Sequence, residues 1–266
     1  MKIFDVLDQL DNVSGDQLAR TSRREAFKAF GNVGKKMAAA ALPFGLAAAS
    51  AQPVRAQGTS GVVDVLNFAL LLEYLEAEYY MMGLDSGVIP GGSHAEKIYQ
   101  QISQHETAHV ELLKSVIGDL GGTPGDTPHF DFTAGGLFNP FHDYQVFLIL
   151  SQAFEDTGVR AYKGQAGNLI DNNAILTAAL QIHSVEARHA SEVRRLRDLK
   201  GWITQDERGA GVPEAAQPVY NGENNLVQGG VDVSTITMYG EDAITEAYDE
   251  PLSKEEVTAI ATLFIA

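Results

Sequence analysis

Glu106-Thr-Ala-His109 has the pattern Glu-x-x-His, which recurs eighty residues further along the chain as Glu186-Ala-Arg-His189. Three residues advance an α-helix by about 300°, so the Glu and the His of each copy lie on one face and can reach a common point. A single Glu-x-x-His arises by chance in many chains. The sequence around the two copies therefore carries the argument.

A glutamate inside an apolar helical stretch precedes each copy. Glu73 lies in Leu-Leu-Glu-Tyr-Leu-Glu-Ala-Glu-Tyr-Tyr, and Glu155 lies in Leu-Ser-Gln-Ala-Phe-Glu-Asp-Thr-Gly. Tyr80 and Tyr162 each follow their glutamate by seven residues. This matched spacing predicts two similar helical hairpins, each with one glutamate and one Glu-x-x-His. The two tyrosines are candidate catalytic side chains, with simple packing between helices as the alternative.

Three neighbouring side chains are weaker candidates for the same site. Glu76 is the alternative to Glu73, which we prefer because only Glu73 has the tyrosine spacing of Glu155. Glu78 is expected to be solvated. His183 is expected to be a hydrogen-bonded core histidine, with a supporting contact to the site as the alternative.

Apolar periodicity and turn residues predict an all-α fold, a four-helix bundle. Ser93 and Glu96 have the spacing of a capping box, and Asn139-Pro140 has the pattern of an N-cap followed by a first-turn proline. Short loops within each helix pair and a long connection between the pairs predict the ferritin-like variant with one long crossover. The predicted helices cover about 62–82, 93–120, 139–162 and 171–200.

The remaining C-terminal residues, 201–266, are predicted to form an extension. Residues 201–240 are rich in Gly, Asn, Gln and Pro and are expected to be irregular. Ser253 and Glu256 again have capping-box spacing and predict a short apolar helix that packs on the bundle or on a partner subunit. Residues 57–200 are predicted to form the bundle itself.

Composition excludes several kinds of site. The chain has no cysteine, so thiol nucleophiles, cysteine-bound zinc, iron–sulfur clusters and disulfides are ruled out. Its formal net charge is −16 over 266 residues. Such a field repels nucleic acid and anionic membranes and favours metal cations, so we expect no nucleic-acid partner.

Folding the two hairpins together would bury four carboxylates and two imidazoles. Burial of these groups without a counter-charge is prohibitive, whereas two divalent cations carry +4 against −4. Carboxylate and imidazole ligands suit iron or manganese better than copper. The sequence therefore predicts two iron or manganese ions on Glu73, Glu106, His109, Glu155, Glu186 and His189.

These motifs, the long crossover and the tyrosine spacing resemble the ferritin–rubrerythrin superfamily. The stretch 66–80 and the tail 246–257 resemble bacterial ferritin-like proteins related to plant desiccation-associated proteins, and the resemblance covers about residues 60–266. It implies that Glu73 and Glu155 are terminal ligands. It also implies that Glu106 and Glu186 bridge the two ions, with one histidine on each.

A rival motif occupies the same place, because His105-Glu-Thr-Ala-His109 matches the zinc-protease pattern. In that interpretation His105 and His109 bind zinc, Glu106 is the general base, and His129 is the available third ligand. Only the bundle interpretation also explains Glu186 and His189. We therefore expect a protein in which His105 is replaced by Ala to retain its metal.

Residues 1–56 have the order of an export signal. Ser22-Arg-Arg-Glu-Ala-Phe-Lys28 precedes an alanine-rich stretch, and Ala49-Ser-Ala51 and Val54-Arg-Ala56 are candidate cleavage sites. This order resembles a bacterial twin-arginine signal and implies folding before export to the periplasm or the outside. The apolar run is too short for a permanent membrane anchor. An amphipathic N-terminal helix is the alternative.

The leading functional hypothesis is a di-iron or di-manganese oxidase that acts on Fe(II), peroxide or dioxygen during oxidative or desiccation stress. Without cysteine there is no rubredoxin domain, so electrons would come from an external donor or from Fe(II). The alternatives are a stress protein whose metals only brace the core, and an iron-storage shell subunit. A homo-oligomer is compatible with each of these.

Overall fold

A computed structural model describes residues 59–266, with side chains from residue 61 onward. The predicted export signal lies outside these residues. The all-α prediction is confirmed, because four long helices form a bundle. They are α1 (Thr59–Ser86), α2 (His94–Asp119), α3 (Tyr144–Ala166) and α4 (Asn173–Leu196). Helix α1 packs mainly on α2, and α3 packs mainly on α4, which gives the two predicted hairpins.

The predicted helix boundaries are correct in some places and wrong in others. Ser93 caps α2, since its hydroxyl accepts a hydrogen bond from the Glu96 N–H at 3.0 Å. The Glu96 carboxylate, however, accepts from Gly92 rather than closing the predicted box on Ser93. Asp198, with a φ of 57°, has left-handed backbone geometry, and α4 ends before it at Leu196 instead of near Lys200.

The third helix begins four residues after the predicted proline. Asn139 and Pro140 form a turn, in which the Asn139 carbonyl accepts hydrogen bonds from the N–H groups of His142 and Asp143. Asp143 is the N-cap, and its carboxylate accepts from the N–H groups of Gln145 and Val146. A carboxylate that satisfies two free N–H groups is a stronger start signal than the preceding Asn-Pro.

The extension contains more regular structure than the sequence predicted. Helix α5 covers Glu241–Thr245, and a short antiparallel pair joins β1 (Val227–Gln228) to β2 (Val231–Asp232) with Val227 opposite Asp232. Helix α6 covers Lys254–Ala261, and Ser253 is its N-cap in the predicted capping box with Glu256. Its buried residues, Val257, Ile260 and Ala261, pack against α1 and α3 together with other parts of the extension.

Arg160 on α3 holds the extension on the bundle. It is 1% exposed, and its Nε lies 2.7 Å from the Glu223 carboxylate and donates to the Glu250 carbonyl at 2.8 Å. One turn later the extension crosses Gly164 so closely that a Cβ there would lie 1.9 Å from the Leu252 carbonyl oxygen. Only glycine fits at this contact.

The core has an aromatic end and an aliphatic end. Tyr79 stacks on Phe147 with ring centroids 4.9 Å apart at the aromatic end. The aliphatic end contains Leu66, Leu70 and Ile117. Glu73 lies in sequence between these two parts of α1 and therefore at mid-bundle. Over residues 59–266, none of the helices has the length and apolar character needed to span a bilayer.

Candidate metal centre

The six predicted ligands converge at the middle of the bundle. Four of them, the glutamates, are 0% exposed, and the histidines are nearly as buried. Their ligand atoms form two overlapping groups, and within each group all atoms lie within 4.8 Å of one another. One group is Glu73, Glu106, His109 and Glu186, and the other is Glu106, Glu155, Glu186 and His189.

The two histidines each face three carboxylates. His109 Nδ1 lies 2.9 Å from Glu106 and 3.1 Å from both Glu73 and Glu186. His189 Nδ1 lies 2.8 Å from Glu106 and 3.3 Å from Glu155. One imidazole N–H cannot serve three acceptors, so these short distances are not a set of satisfied hydrogen bonds.

Five polar atoms in this cluster have no hydrogen-bond partner although they are fully buried. They are Glu106 Oε1, Glu155 Oε2, both Glu186 oxygens and His189 Nδ1. Buried polar atoms without partners are rare in folded proteins, and bound metal ions would give all five of them a partner. The donor set, four carboxylates and two imidazoles, fits a pair of hard or borderline cations.

Comparison with known protein families agrees with this geometry. The family model for the ferritin-like domain matches residues 61–198, which include all six converging residues. The chain belongs to the ferritin-like family. No curated protein sequence matches the chain.

The two tyrosines of this ferritin-like domain connect the hairpins. The Tyr80 hydroxyl on α1 donates to Glu155 on α3 at 2.5 Å, and the Tyr162 hydroxyl on α3 donates to Glu73 on α1. Each tyrosine therefore contacts the glutamate of the other hairpin, at an oxygen that faces away from the histidines. Burial raises the pKa of both hydroxyls well above the usual value, so both remain donors.

The electrostatics of the site fit a cation. Burial raises the pKa of Glu106 to about 7 and that of Glu155 to about 8. Burial would lower the pKa of His109, but the close carboxylates of Glu106, Glu186 and Glu73 raise it to about 12. The nearby His109 and His189 imidazoles outweigh burial at Glu186 and lower its pKa to about 2. The cluster thus retains protons that metal ions would displace.

The stability of the metal-free protein is therefore expected to fall as pH rises, whereas the stability of the metal-loaded protein is expected to rise. Glu106 and Glu155 have folded-state pKa values above the ordinary 4.5, so the folded state holds extra protons and stability falls as pH rises from about 5 to 8. His109 acts in the same direction above its ordinary 6.5. Metal affinity, in contrast, rises as ligands deprotonate. Calorimetry of the chelated and the Mn(II)-loaded protein at several pH values measures both melting temperatures. A melting temperature that changed with pH in the same direction in both forms would contradict the prediction.

His105 does not join either group of candidate ligands, but it contacts one of them. Its Nδ1 lies 2.9 Å from His189 Nε2, and its Nε2 lies 2.8 Å from the Gln101 side-chain amide. The sequence pattern missed this contact, because it depends on how α2 and α4 are rotated toward each other. His105 therefore orients His189 through the ring nitrogen that faces away from the carboxylates. Within residues 59–266, neither His105 nor His129 belongs to a group that could hold a metal ion, as a zinc-protease site requires.

Replacing His105 with alanine is expected to retain two ions at saturating metal and to weaken binding by about 10- to 100-fold, because His189 loses its orienting partner. His94, exposed at the start of α2, provides the matched alanine control. Calorimetric titration with Mn(II) measures both quantities. Loss of one ion at saturation would make His105 a direct ligand.

A solvent groove of about 460 Å³ between α2 and α4 reaches the outer sides of the histidines. It is lined by His105, His109 and His189 together with polar residues such as Arg188. The carboxylates lie behind the imidazoles and are closed off from water. The groove is thus an approach from solvent to the centre.

The remaining candidates occupy different positions. Glu76 is 3% exposed and belongs to neither group, and burial together with the neighbouring Glu186, Glu155, Glu106 and Glu73 raises its pKa well above the usual value. It is a fifth buried glutamate beside the four that converge, whereas the sequence pattern indicated only an alternative to Glu73. His183 is half-buried and its Nδ1 lies 3.0 Å from the Val159 carbonyl, as expected of a hydrogen-bonded core histidine.

Proposed function

We propose that this ferritin-like chain holds two iron or manganese ions and acts as an oxidoreductase on Fe(II), peroxide or dioxygen. The observation that carries the proposal is the set of five buried, unpartnered ligand atoms that converge from two hairpins. A cluster that served only to stabilise the fold would be better built from apolar residues.

The overlap of the two groups suggests how the ligands are shared. Glu106 and Glu186 belong to both groups and would bridge the ions. Glu73 and His109 would complete one position, and Glu155 and His189 the other. With two divalent ions the charge of these four carboxylates is balanced, and Glu76 would stay protonated beside them.

The two metal ions, when bound, would supply reversible one-electron chemistry toward dioxygen or peroxide. The chain would orient the ligands, admit the reactants and exclude bulk water. Tyr80 and Tyr162 hold Glu155 and Glu73 in fixed orientation, so we assign them a positioning role in place of direct contact with substrate. The groove at His105 would admit small polar reactants, and the packed helices that bury the carboxylates would keep bulk water away from the centre.

The test is turnover by purified protein loaded with Fe(II) or Mn(II). Oxidation of excess Fe(II) and decay of hydrogen peroxide are followed in separate assays. Glu106→Ala is the inactive control, and Glu78→Ala, on the partly exposed side of α1, is the matched active one. Bound metal with no turnover in either assay would favour the structural alternative, in which the ions only brace the bundle.

We also propose export, on the basis of Arg23 and Arg24 and the alanine-rich stretch after them. Loss of protein from the periplasmic fraction when both arginines become lysine would support it. An unchanged distribution would favour the amphipathic-helix alternative.

A further inference from the structure

We propose that an apolar cavity at the aliphatic end of the bundle is a binding site for one small, uncharged, hydrocarbon-like molecule. The cavity has a volume of about 190 Å³ and lies among all four helices, one to two turns from the metal centre. Neither the sequence motifs nor the proposed metal chemistry accounts for it.

The lining explains why the cavity would stay dry and bind an apolar molecule. Among the residues that surround it, only Tyr162 and Gln165 carry polar groups, and none is charged. Gln165 already accepts a hydrogen bond from Asn168 at 2.9 Å. A water molecule needs two to four polar partners, so an apolar space of this kind does not hold water well.

The size of the cavity sets the size of the ligand. Protein cores are normally packed with few voids larger than a water molecule, so this space is unusual. It persists because small side chains, Ala69, Ala161 and Ala179, line it where larger ones would fill it. An apolar cavity of about 150 Å³ binds benzene in another protein, so a space of about 190 Å³ accommodates one molecule of that size or slightly larger.

The entrance lies between α2 and α4. Leu112 on α2 is 41% exposed and Ala174 on α4 is exposed, whereas the walls toward α1 and α3 are buried. The space behind this entrance is too small for a peptide segment or a second copy of the chain. The absence of charge from its lining excludes an ionic ligand.

At its inner side the cavity meets the candidate metal centre at Tyr162. The Tyr162 ring forms part of the wall, and its hydroxyl donates to Glu73. A ligand in the cavity would therefore touch the side chain that orients one of the proposed terminal ligands. Binding itself requires no metal, so it can succeed or fail independently of the proposed function.

Benzene is the probe, added to the chelated, metal-free full chain and followed by NMR and thermal melting. We expect saturable binding and a higher melting temperature. Ala179→Leu fills the cavity and Ala174→Leu narrows its entrance, and both are expected to weaken benzene binding on the order of tenfold or more. Ala108→Leu, in the separate groove near His105, is the matched control that should keep wild-type affinity.

Ala174 is exposed, so its variant tests the proposal even if Ala179→Leu fails to fold. The proposal would be overturned if wild-type protein did not bind benzene saturably. It would equally be overturned if Ala174→Leu and Ala179→Leu bound benzene as tightly as Ala108→Leu.

Discussion

Replacing Glu186 with alanine is expected to remove both metal ions, whereas replacing Glu73 should remove only one. Glu186 belongs to both ligand groups, and Glu73 belongs to one. At a free metal concentration of about 100 times Kd, each bound ion stabilises the folded protein by about 2.7 kcal/mol. The Glu186 variant should therefore also lose most of the metal-dependent gain in melting temperature. Metal analysis and calorimetric melting with and without Mn(II) measure these effects.

The matched control is Glu78→Ala, which removes a carboxylate from the helix that carries Glu73 without touching either ligand group. Glu186→Gln keeps the side-chain volume and distinguishes loss of a ligand from damage to the core. Two ions bound to Glu186→Ala at wild-type affinity would contradict the shared-ligand arrangement. Loss of both ions from the Glu73 variant would show that the two positions fill only together.

The fold and the convergence of the six candidate ligands could be predicted because both depend on the helical period. The three-residue spacing places Glu106 with His109, and Glu186 with His189, on one face of their helix. A buried carboxylate needs a partner, so these faces are expected to turn toward a common site. All six residues accordingly converge. Glu73 could be chosen over Glu76 only through the tyrosine spacing, and the Tyr162 bond to Glu73 gives that spacing its physical reason.

Contacts between distant segments could not be predicted in the same way. The His105 contact to His189 depends on the rotation of α2 against α4, which no local pattern records. Asn139-Pro140 is a strong local signal for the start of a helix. The helix nevertheless starts after Asp143, because the Asp143 carboxylate satisfies two free N–H groups. Glu223 lies in a stretch without periodicity, and nothing near it in sequence indicates that its partner is Arg160.

That ion pair gives the largest expected effect on folding. Replacing Arg160 with alanine should lower the free energy of unfolding by about 3–5 kcal/mol, because Glu223 would remain buried without a counter-charge. Three carbonyl groups of the extension, those of Val219, Asn221 and Glu250, would also lose their donor. Urea unfolding measures the change, and limited proteolysis should show earlier cleavage between α4 and α6.

Two controls separate the buried ion pair from the effect of charge alone. Lys114→Ala breaks an exposed pair with Glu111 at 3.1 Å and should change stability by no more than about 1 kcal/mol. The double variant Arg160→Met with Glu223→Leu replaces both charges by apolar groups and should recover the part of the loss that comes from the unpaired Glu223 carboxylate. If Arg160→Ala alone were as stable as Lys114→Ala, the extension would be held mainly by the apolar face of α6, with Arg160 contributing little.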